Sequence, residues 1–158
     1  MVSREDLKQI VILKYLDDQM LEQFMPIVDQ MMYPPNDIVF KEGDTADRFY
    51  MLQRGKVLLE KRLTEKVTVS VGAVKTGFSF GWSSMLDDGA YTSDAVCAET
   101  CEVLSVRREQ LLSLMNENPP LGYIFTQRLL RIIKKRLDHR TEQFLRAIQN
   151  HPDIRSLL

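Results

Sequence analysis

Histidine, cysteine and tryptophan are scarce in this 158-residue sequence, which has two, two and one of them. The sequence contains no Gly-x-Ser-x-Gly elbow, Walker loop or metal-ligand cluster, and we expect both His139 and His151 to be solvated. Cys97 and Cys101 have neither a zinc spacing nor a disulfide framework around them. We therefore expect no catalytic activity, no metal site and two reduced structural thiols, with a redox pair as the alternative.

Long apolar runs are also missing. No segment approaches the roughly 18 to 20 apolar residues that a membrane-spanning helix needs, and the N-terminus lacks the basic and then apolar pattern of a secretory signal. We expect a cytoplasmic protein with no membrane span. The composition, 44% hydrophobic and 27% charged, is typical of one globular domain with its own core.

Charge is distributed unevenly, although the formal net charge is only −1. Residues 121–149 contain seven Lys or Arg and two acidic residues, which makes this segment basic and the remainder acidic. Its central cations are Arg128, Arg131, Lys134, Lys135, Arg136 and Arg140. A solvated helix face explains such a run, and we favour it over a nucleic-acid surface because no aromatic or recognition element accompanies the charge.

Hydrophobic periodicity divides the chain into three parts that form one domain, 1–150. Residues 1–28 follow a helical period, 29–108 consist of short β-rich runs separated by glycine and proline, and 109–150 return to a helical period. Residues 151–158 form a tail. Within the central part, 66–74 alternate so that Val67, Val69 and Val71 should share one buried face.

Two glycine turns organise residues 41–62. Gly43 with Asp44 and Arg54 with Gly55 are turn signals, and between them Phe49 to Leu52 read as a mostly buried strand. Glycine at such turns adopts a positive φ without a Cβ clash.

This arrangement resembles the opening half of a cyclic-nucleotide-binding domain, the module of cyclic AMP receptors and protein kinase A regulatory subunits. The residues that fill the family pattern are Gly43, Asp44, Ala46, Tyr50 and Gly55. The resemblance covers about residues 16–137. It implies an α+β fold in which a β-roll, or jelly roll, of about eight antiparallel strands lies between N-terminal helices and a long C-terminal helix.

The ligand cassette of that family departs from its pattern here. In the family, helix amides and one Arg hold the cyclic phosphate, and a Glu accepts a hydrogen bond from the ribose. Residues 80–96 align with that cassette without a gap, but Trp82 stands at the Glu position and Thr92 at the Arg position. Each lost contact is worth roughly 1.5 to 3 kcal/mol, so cyclic AMP and cyclic GMP should bind weakly or not at all.

Three interpretations of the cassette remain open, and no cofactor is required by any of them. In the first, the cassette is vestigial and Trp82 packs into the vacated pocket. In the second, a small anionic ligand meets the turn amides and nearby hydroxyls. Residual cyclic nucleotide binding is the third. The candidate ligand-binding residues are Gly81, Trp82, Ser83, Ser84, Thr92 and Ser93.

A heptad-like stripe in the C-terminal helix predicts a homodimer. Leu130, Leu137 and Phe144 are seven residues apart, and Ile133 adds to the same seam. Packing of this stripe on the barrel of its own chain is the alternative.

We expect a non-catalytic regulatory or sensor domain, coupled to its C-terminal helix through residues 111–121. One alternative is a ligand-free module for dimerisation or for binding a partner protein. Another is a truncated or divergent transcription regulator that senses a different small anion. Eight residues follow Asn150, too few for a helix-turn-helix, so DNA binding by this chain is not expected.

Overall fold

The computed structural model describes residues 1–157 and contains two four-stranded antiparallel sheets between helical segments. The helices are α1 (Arg4–Lys8), α2 (Asp18–Phe24), α3 (Arg108–Glu117), α4 (Pro119–Gln149) and α5 (Pro152–Arg155). The strands are β1 (Val28–Tyr33), β2 (Ile38–Phe40), β3 (Arg48–Arg54), β4 (Lys56–Thr64), β5 (Val67–Lys75), β6 (Ser79–Phe80), β7 (Asp94–Cys97) and β8 (Cys101–Arg107).

Both sheets have the antiparallel pairing that the sequence predicts. Their strand orders are β1-β8-β3-β6 and β2-β7-β4-β5. The eight strands and the flanking helices confirm the predicted β-roll. None of the helices within residues 1–157 has the length and apolar character needed to cross a membrane.

Local capping explains where the N-terminal helices begin. The Ser3 hydroxyl accepts a hydrogen bond from the Asp6 amide, while the Asp6 carboxylate accepts one from the Ser3 amide at 2.8 Å, which forms a capping box for α1. The Asp17 carboxylate accepts a bond from the Met20 amide at 2.8 Å and caps α2. The helices then bury Leu7 and Phe24 against the sheet.

Strand β3 separates two hydrophobic clusters because successive side chains point to opposite faces. Phe49 and Met51 pack in the cluster formed with the helices, and Tyr50 and Leu52 pack inside the roll. Both clusters are therefore joined by one strand, whose four central residues are buried as the sequence predicts.

Strand β5 departs from the regular alternation that its sequence suggests. Leu59 pairs with Gly72 and Glu60 pairs with Ser70, so Val71 is an extra residue in a β-bulge. Beyond the bulge the alternation changes phase, and Val74 is buried. The three valines do not lie beyond the bulge: Val69 and Val71 are partly buried, and Val67, at the end of the strand next to the turn after β4, is exposed. The predicted buried face is therefore wrong at Val67.

The two cysteines are buried, free thiols. Burial, followed by the neighbouring Cys101, raises the pKa of the Cys97 thiol to about 12. A thiol with such a pKa stays protonated and unreactive near neutral pH. This is consistent with the structural role that we expect for the pair.

The fully buried side chains of helix α4 lie in its first half. Its buried side chains are Leu121, Phe125, Leu129 and Ile132. At its start, Asn118 caps the helix by accepting a hydrogen bond from the Leu121 amide at 3.2 Å. At Gly122 the helix passes so close to α3 that a Cβ on this residue would lie 2.8 Å from the Met115 carbonyl oxygen.

The predicted tail, 151–158, contains the short helix α5. Its last residue, Leu158, lies outside the described residues.

Candidate functional site

Backbone hydrogen bonds attach the cassette loop to the first glycine turn. The Gly43 amide donates to the Tyr91 carbonyl at 2.8 Å, and the Tyr91 amide donates to the Asp44 carbonyl at 3.0 Å. The Ala46 amide donates to the Gly89 carbonyl at 2.9 Å. The motif that identifies the fold in sequence therefore positions the loop that carries Thr92 and Ser93.

A second glycine turns the chain into the cassette itself. Gly81 has φ of +76° and precedes a short 3-10 helix, Trp82–Met85. The Ser84 hydroxyl donates to the Gly81 carbonyl at 2.8 Å and is buried. Ser84 therefore stabilises the turn and does not line the adjacent pocket.

We expect Gly81→Ala to destabilise the fold by roughly 2 to 4 kcal/mol. The left-handed φ alone costs about 1 to 2 kcal/mol for alanine, and the new Cβ would lie 2.9 Å from Tyr50 Cδ2. Tyr50 cannot readily move, because it is buried and stacked on Phe80 with ring centroids 5.3 Å apart. Urea unfolding measures the loss.

Gly43→Ala is the matched control for that variant. Gly43 also has a positive φ, +87°, but a Cβ there would meet no atom within 4 Å. Its loss should stay near the conformational cost of about 1 to 2 kcal/mol. Equal losses for the two variants would mean that the cassette turn relaxes around the added methyl group.

An open pocket of about 750 Å³ lies between the cassette, strands β4 and β5, and helix α4. Five of the six residues predicted from sequence line it: Gly81, Trp82, Ser83, Thr92 and Ser93. The structure thus brings the two halves of the cassette together around one cavity.

The charged residues that line this pocket are all basic. They are Lys61, Lys75, Arg136 and Arg140, and the lining within residues 1–157 includes no Asp or Glu. Lys61 is partly neutralised by Glu42, at 3.1 Å. In the described part of the chain, no carboxylate oxygen lies within 4 Å of a guanidinium nitrogen of Arg136 or Arg140. The pocket is therefore suited to an anion.

Trp82 lies on the pocket wall and leaves the cavity open. The Arg136 guanidinium stacks over its ring, 4.2 Å from the centroid, and donates to the Ser79 carbonyl at 2.7 Å. The ring packs against the helical cluster and remains partly exposed. Burial, together with the nearby charge of Arg140, lowers the pKa of Arg136 to about 10.

The cations of α4 do not form one solvated face. Arg128 stacks on Tyr15, 3.0 Å from the ring centroid, and Lys134 pairs with Asp138 at 2.6 Å. Arg136 and Arg140 face the pocket. The interpretation of the basic run as a purely solvated face is wrong for Arg136, which is partly buried against the roll, whereas Arg140 is exposed at the edge of the pocket.

Sequence reasoning missed the α4 side of the pocket. The residues concerned are Ile133, Arg136, His139, Arg140 and Gln143. Several are three or four positions apart, which puts them on one helix face. The helical spacing of these residues is visible in the sequence, but the sequence does not show that this face of α4 lies over the roll.

The predicted dimer stripe is exposed to solvent and does not pack on the barrel of its own chain. Leu130 is 59% exposed, Leu137 63% and Phe144 65%. Tyr123, 68% exposed, extends the stripe by one heptad toward the N-terminus and was missed. Ile133, assigned to the same seam, is partly buried against the helical cluster.

Comparison with known families gives a match over the central part of the chain. A sequence profile described as the cyclic nucleotide-binding domain matches residues 30–118, more than half of the chain. The chain is similar to the cyclic AMP receptor protein of Thermus thermophilus, 28% identical over 104 residues that make up 66% of this chain and 48% of that protein. It is also similar to the global nitrogen regulator of a Nostoc species, 30% identical over 85% of this chain and 58% of that protein.

Solved structures share the fold. A cyclic nucleotide-binding domain from Methylobacillus flagellatus superposes with a TM-score of 0.82 at 21% identity, covering 94% of this chain and 86% of that one. The N-terminal domain of a transcriptional regulator from Streptomyces coelicolor gives 0.71 at 22% identity, covering 85% and 94%. The chain spans about half the length of the first curated relatives that it matches.

Proposed function

Because the chain belongs to the cyclic nucleotide-binding domain family and is related to regulators of the cyclic AMP receptor type, we propose that it is a non-catalytic regulatory domain that senses a small anion. The ligand occupies the cassette pocket. Cyclic nucleotides are not held there in the way usual for the family, because Trp82 and Thr92 replace the charged contacts.

The charge of the pocket lining is the observation that supports this proposal. Four cationic side chains line a cavity of about 750 Å³, a size typical of small-molecule sites. None of the lining residues within 1–157 is an Asp or Glu. The hydroxyls of Ser83, Thr92 and Ser93 supply further hydrogen-bond donors. Burying Arg136 beside Arg140 without a carboxylate costs free energy that a bound anion would offset.

The pocket also suggests how binding would be transmitted. Its walls belong to the roll on one side and to the second half of α4 on the other. A ligand that contacts both favours the conformation in which α4 lies over the roll, and it shifts the population toward that conformation in proportion to its differential affinity. The predicted coupling segment, 111–121, contains the Asn118 junction at which α4 begins.

We expect cyclic AMP and cyclic GMP to bind with dissociation constants above about 10 μM. Tighter binding would require roughly 7 kcal/mol or more from a site without the ionic contacts. Isothermal titration calorimetry with each nucleotide measures this directly. A constant in the low micromolar range would show that the cassette binds cyclic nucleotides by other contacts.

Sensing itself is tested by stability and by hydrogen exchange on the wild-type chain. A panel of small phosphates and carboxylates at constant ionic strength should contain members that raise the melting temperature in a saturable way. Those members should also slow amide exchange in residues 133–149, because this part of α4 has no fully buried side chain and contacts the roll mainly around Arg136. If every anion leaves both measurements unchanged, the ligand-free interaction module is the better account.

A second proposal concerns assembly, and the exposed stripe of α4 supports it. Tyr123, Leu130, Leu137 and Phe144 repeat every seven residues along one solvent-exposed line. Such spacing suits knobs-into-holes packing of two helices. We propose that a second copy of the chain covers this stripe, which makes the domain a homodimer.

A further inference from the structure

The two sides of the pocket carry different polar groups. On the cassette side, Ser83, Thr92 and Ser93 offer hydroxyl groups but no charge. On the opposite side, helix α4 contributes Arg136 and Arg140. The roll adds the ammonium groups of Lys61, which pairs with Glu42, and of Lys75, whereas both guanidinium groups come from the helix.

Arg136 is only partly used by its own chain. One terminal nitrogen donates to the Ser79 carbonyl, and the plane of the guanidinium rests on Trp82. A guanidinium has five N–H donors, and this bond uses one of them. The stacking fixes the orientation of the remaining donors, which reduces the entropy that binding would cost.

Arg140 reaches across the pocket toward β5. Its Nη2 atom lies 3.7 Å from the position that a Cβ on Gly72 would occupy, beside the bulge at Val71. The guanidinium therefore lies close to the backbone of β5 at Gly72. Two guanidinium groups one helical turn apart thus approach the same cavity, and neither has a carboxylate partner within residues 1–157.

The remainder of the cavity wall is largely apolar. Phe40, Leu59, Val71, Ile133 and Leu137 line it. A bare inorganic ion would leave these surfaces in contact with water, whereas an apolar body attached to the anion would bury them at about 25 cal/mol per Å².

We propose that the ligand is an organic oxyanion, a phosphate or carboxylate on an apolar body, and that Arg136 and Arg140 of α4 bind its charged group. This inference rests on the proposed function. The family residue that is replaced by Thr92 lies on the roll, whereas both guanidinium groups of this pocket lie on the opposite wall. The apolar body lies against Phe40, Leu59 and Val71.

The test uses phenyl phosphate, benzoate and inorganic phosphate as probes at constant ionic strength. Calorimetry on the wild type should detect phenyl phosphate or benzoate, and the better of the two should bind at least about tenfold more tightly than inorganic phosphate. Equal affinity for inorganic phosphate and for both aromatic probes would contradict the apolar part of the proposal.

Arg140→Gln and Arg136→Gln should each weaken binding of the aromatic probe by about tenfold to a hundredfold, because each removes a charge-assisted contact. Arg140 is exposed, so its replacement is compatible with folding. Arg131→Gln, which removes an exposed cation of α4 outside the pocket, is the control and should leave the affinity unchanged.

The outcomes separate this inference from the function on which it rests. Binding that is intact in both pocket variants would overturn the role of α4 while leaving anion sensing in place. Equal weakening by Arg131→Gln would indicate nonspecific attraction to the helix and would also overturn it. Failure of every probe, including the wider panel, would reject anion sensing itself.

Discussion

Replacing Trp82 by Glu and Thr92 by Arg together is expected to raise the affinity for cyclic AMP or cyclic GMP by about a hundredfold to ten-thousandfold. The two changes restore charge-assisted hydrogen bonds worth together about 3 to 6 kcal/mol. The supporting structure is in place, because Gly81 retains its left-handed turn and the loop of Thr92 is tied to the first glycine turn. Calorimetry on the double variant and on the parent measures the gain.

Each single variant is the control for the other. Trp82→Glu places a carboxylate where Arg136 now stacks, so the two charges should pair and little affinity should appear. Thr92→Arg adds a fifth cation to a lining that already has four, and it lacks the ribose contact. A double variant that keeps its circular dichroism spectrum but gains no affinity would show that the cassette backbone has diverged. Adding Arg136→Gln to it then tests whether Arg136 sequesters the new carboxylate.

Leu130→Glu combined with Phe144→Glu should convert a dimer into a monomer. Both side chains are mostly exposed in the single chain, and burying each in a dimer seam would contribute about 1.5 to 3 kcal/mol. A charge at both positions would be desolvated without a partner, so association should be lost entirely at micromolar concentration. Sedimentation velocity distinguishes the two states.

These two positions suit the experiment because neither lines the ligand pocket, whereas Leu137 does. Lys135→Glu is the control, since it introduces the same residue on an exposed position of α4 away from the stripe. It should leave the dimer intact. A wild-type chain that sediments as a monomer at high micromolar concentration would contradict the homodimer.

The sequence was most informative where local chemistry determines conformation. Gly43 and Gly55 both adopt a positive φ, and the strand between them has the burial that its residues predict. The break between α3 and α4 falls at Asn118, directly before Pro119. Turns, caps and short strands depend on neighbouring residues, so their signals survive in a single sequence.

Prediction failed where distant segments meet. The alternation of residues 66–74 gave no sign of the bulge at Val71, which depends on pairing with β4. The charges that face the pocket were also missed, because Arg136 is 54 positions from Trp82 in the sequence and only the docking of α4 brings them together. Long-range approaches of this kind leave no local pattern to detect.

The uneven anchoring of α4 has a mechanical consequence. Its last buried residue is Ile132 and the helix ends at Gln149, so about 25 Å of helix extends beyond the anchor at 1.5 Å per residue. A tilt of about 10° around that point would displace the far end by about 4 Å. Arg136 lies only one turn beyond the pivot, where the same tilt moves the backbone by about 1 Å. The part of α4 beyond Arg136 is thus a lever, which turns a movement of about 1 Å beside the pocket into a displacement of about 4 Å at the end of the helix.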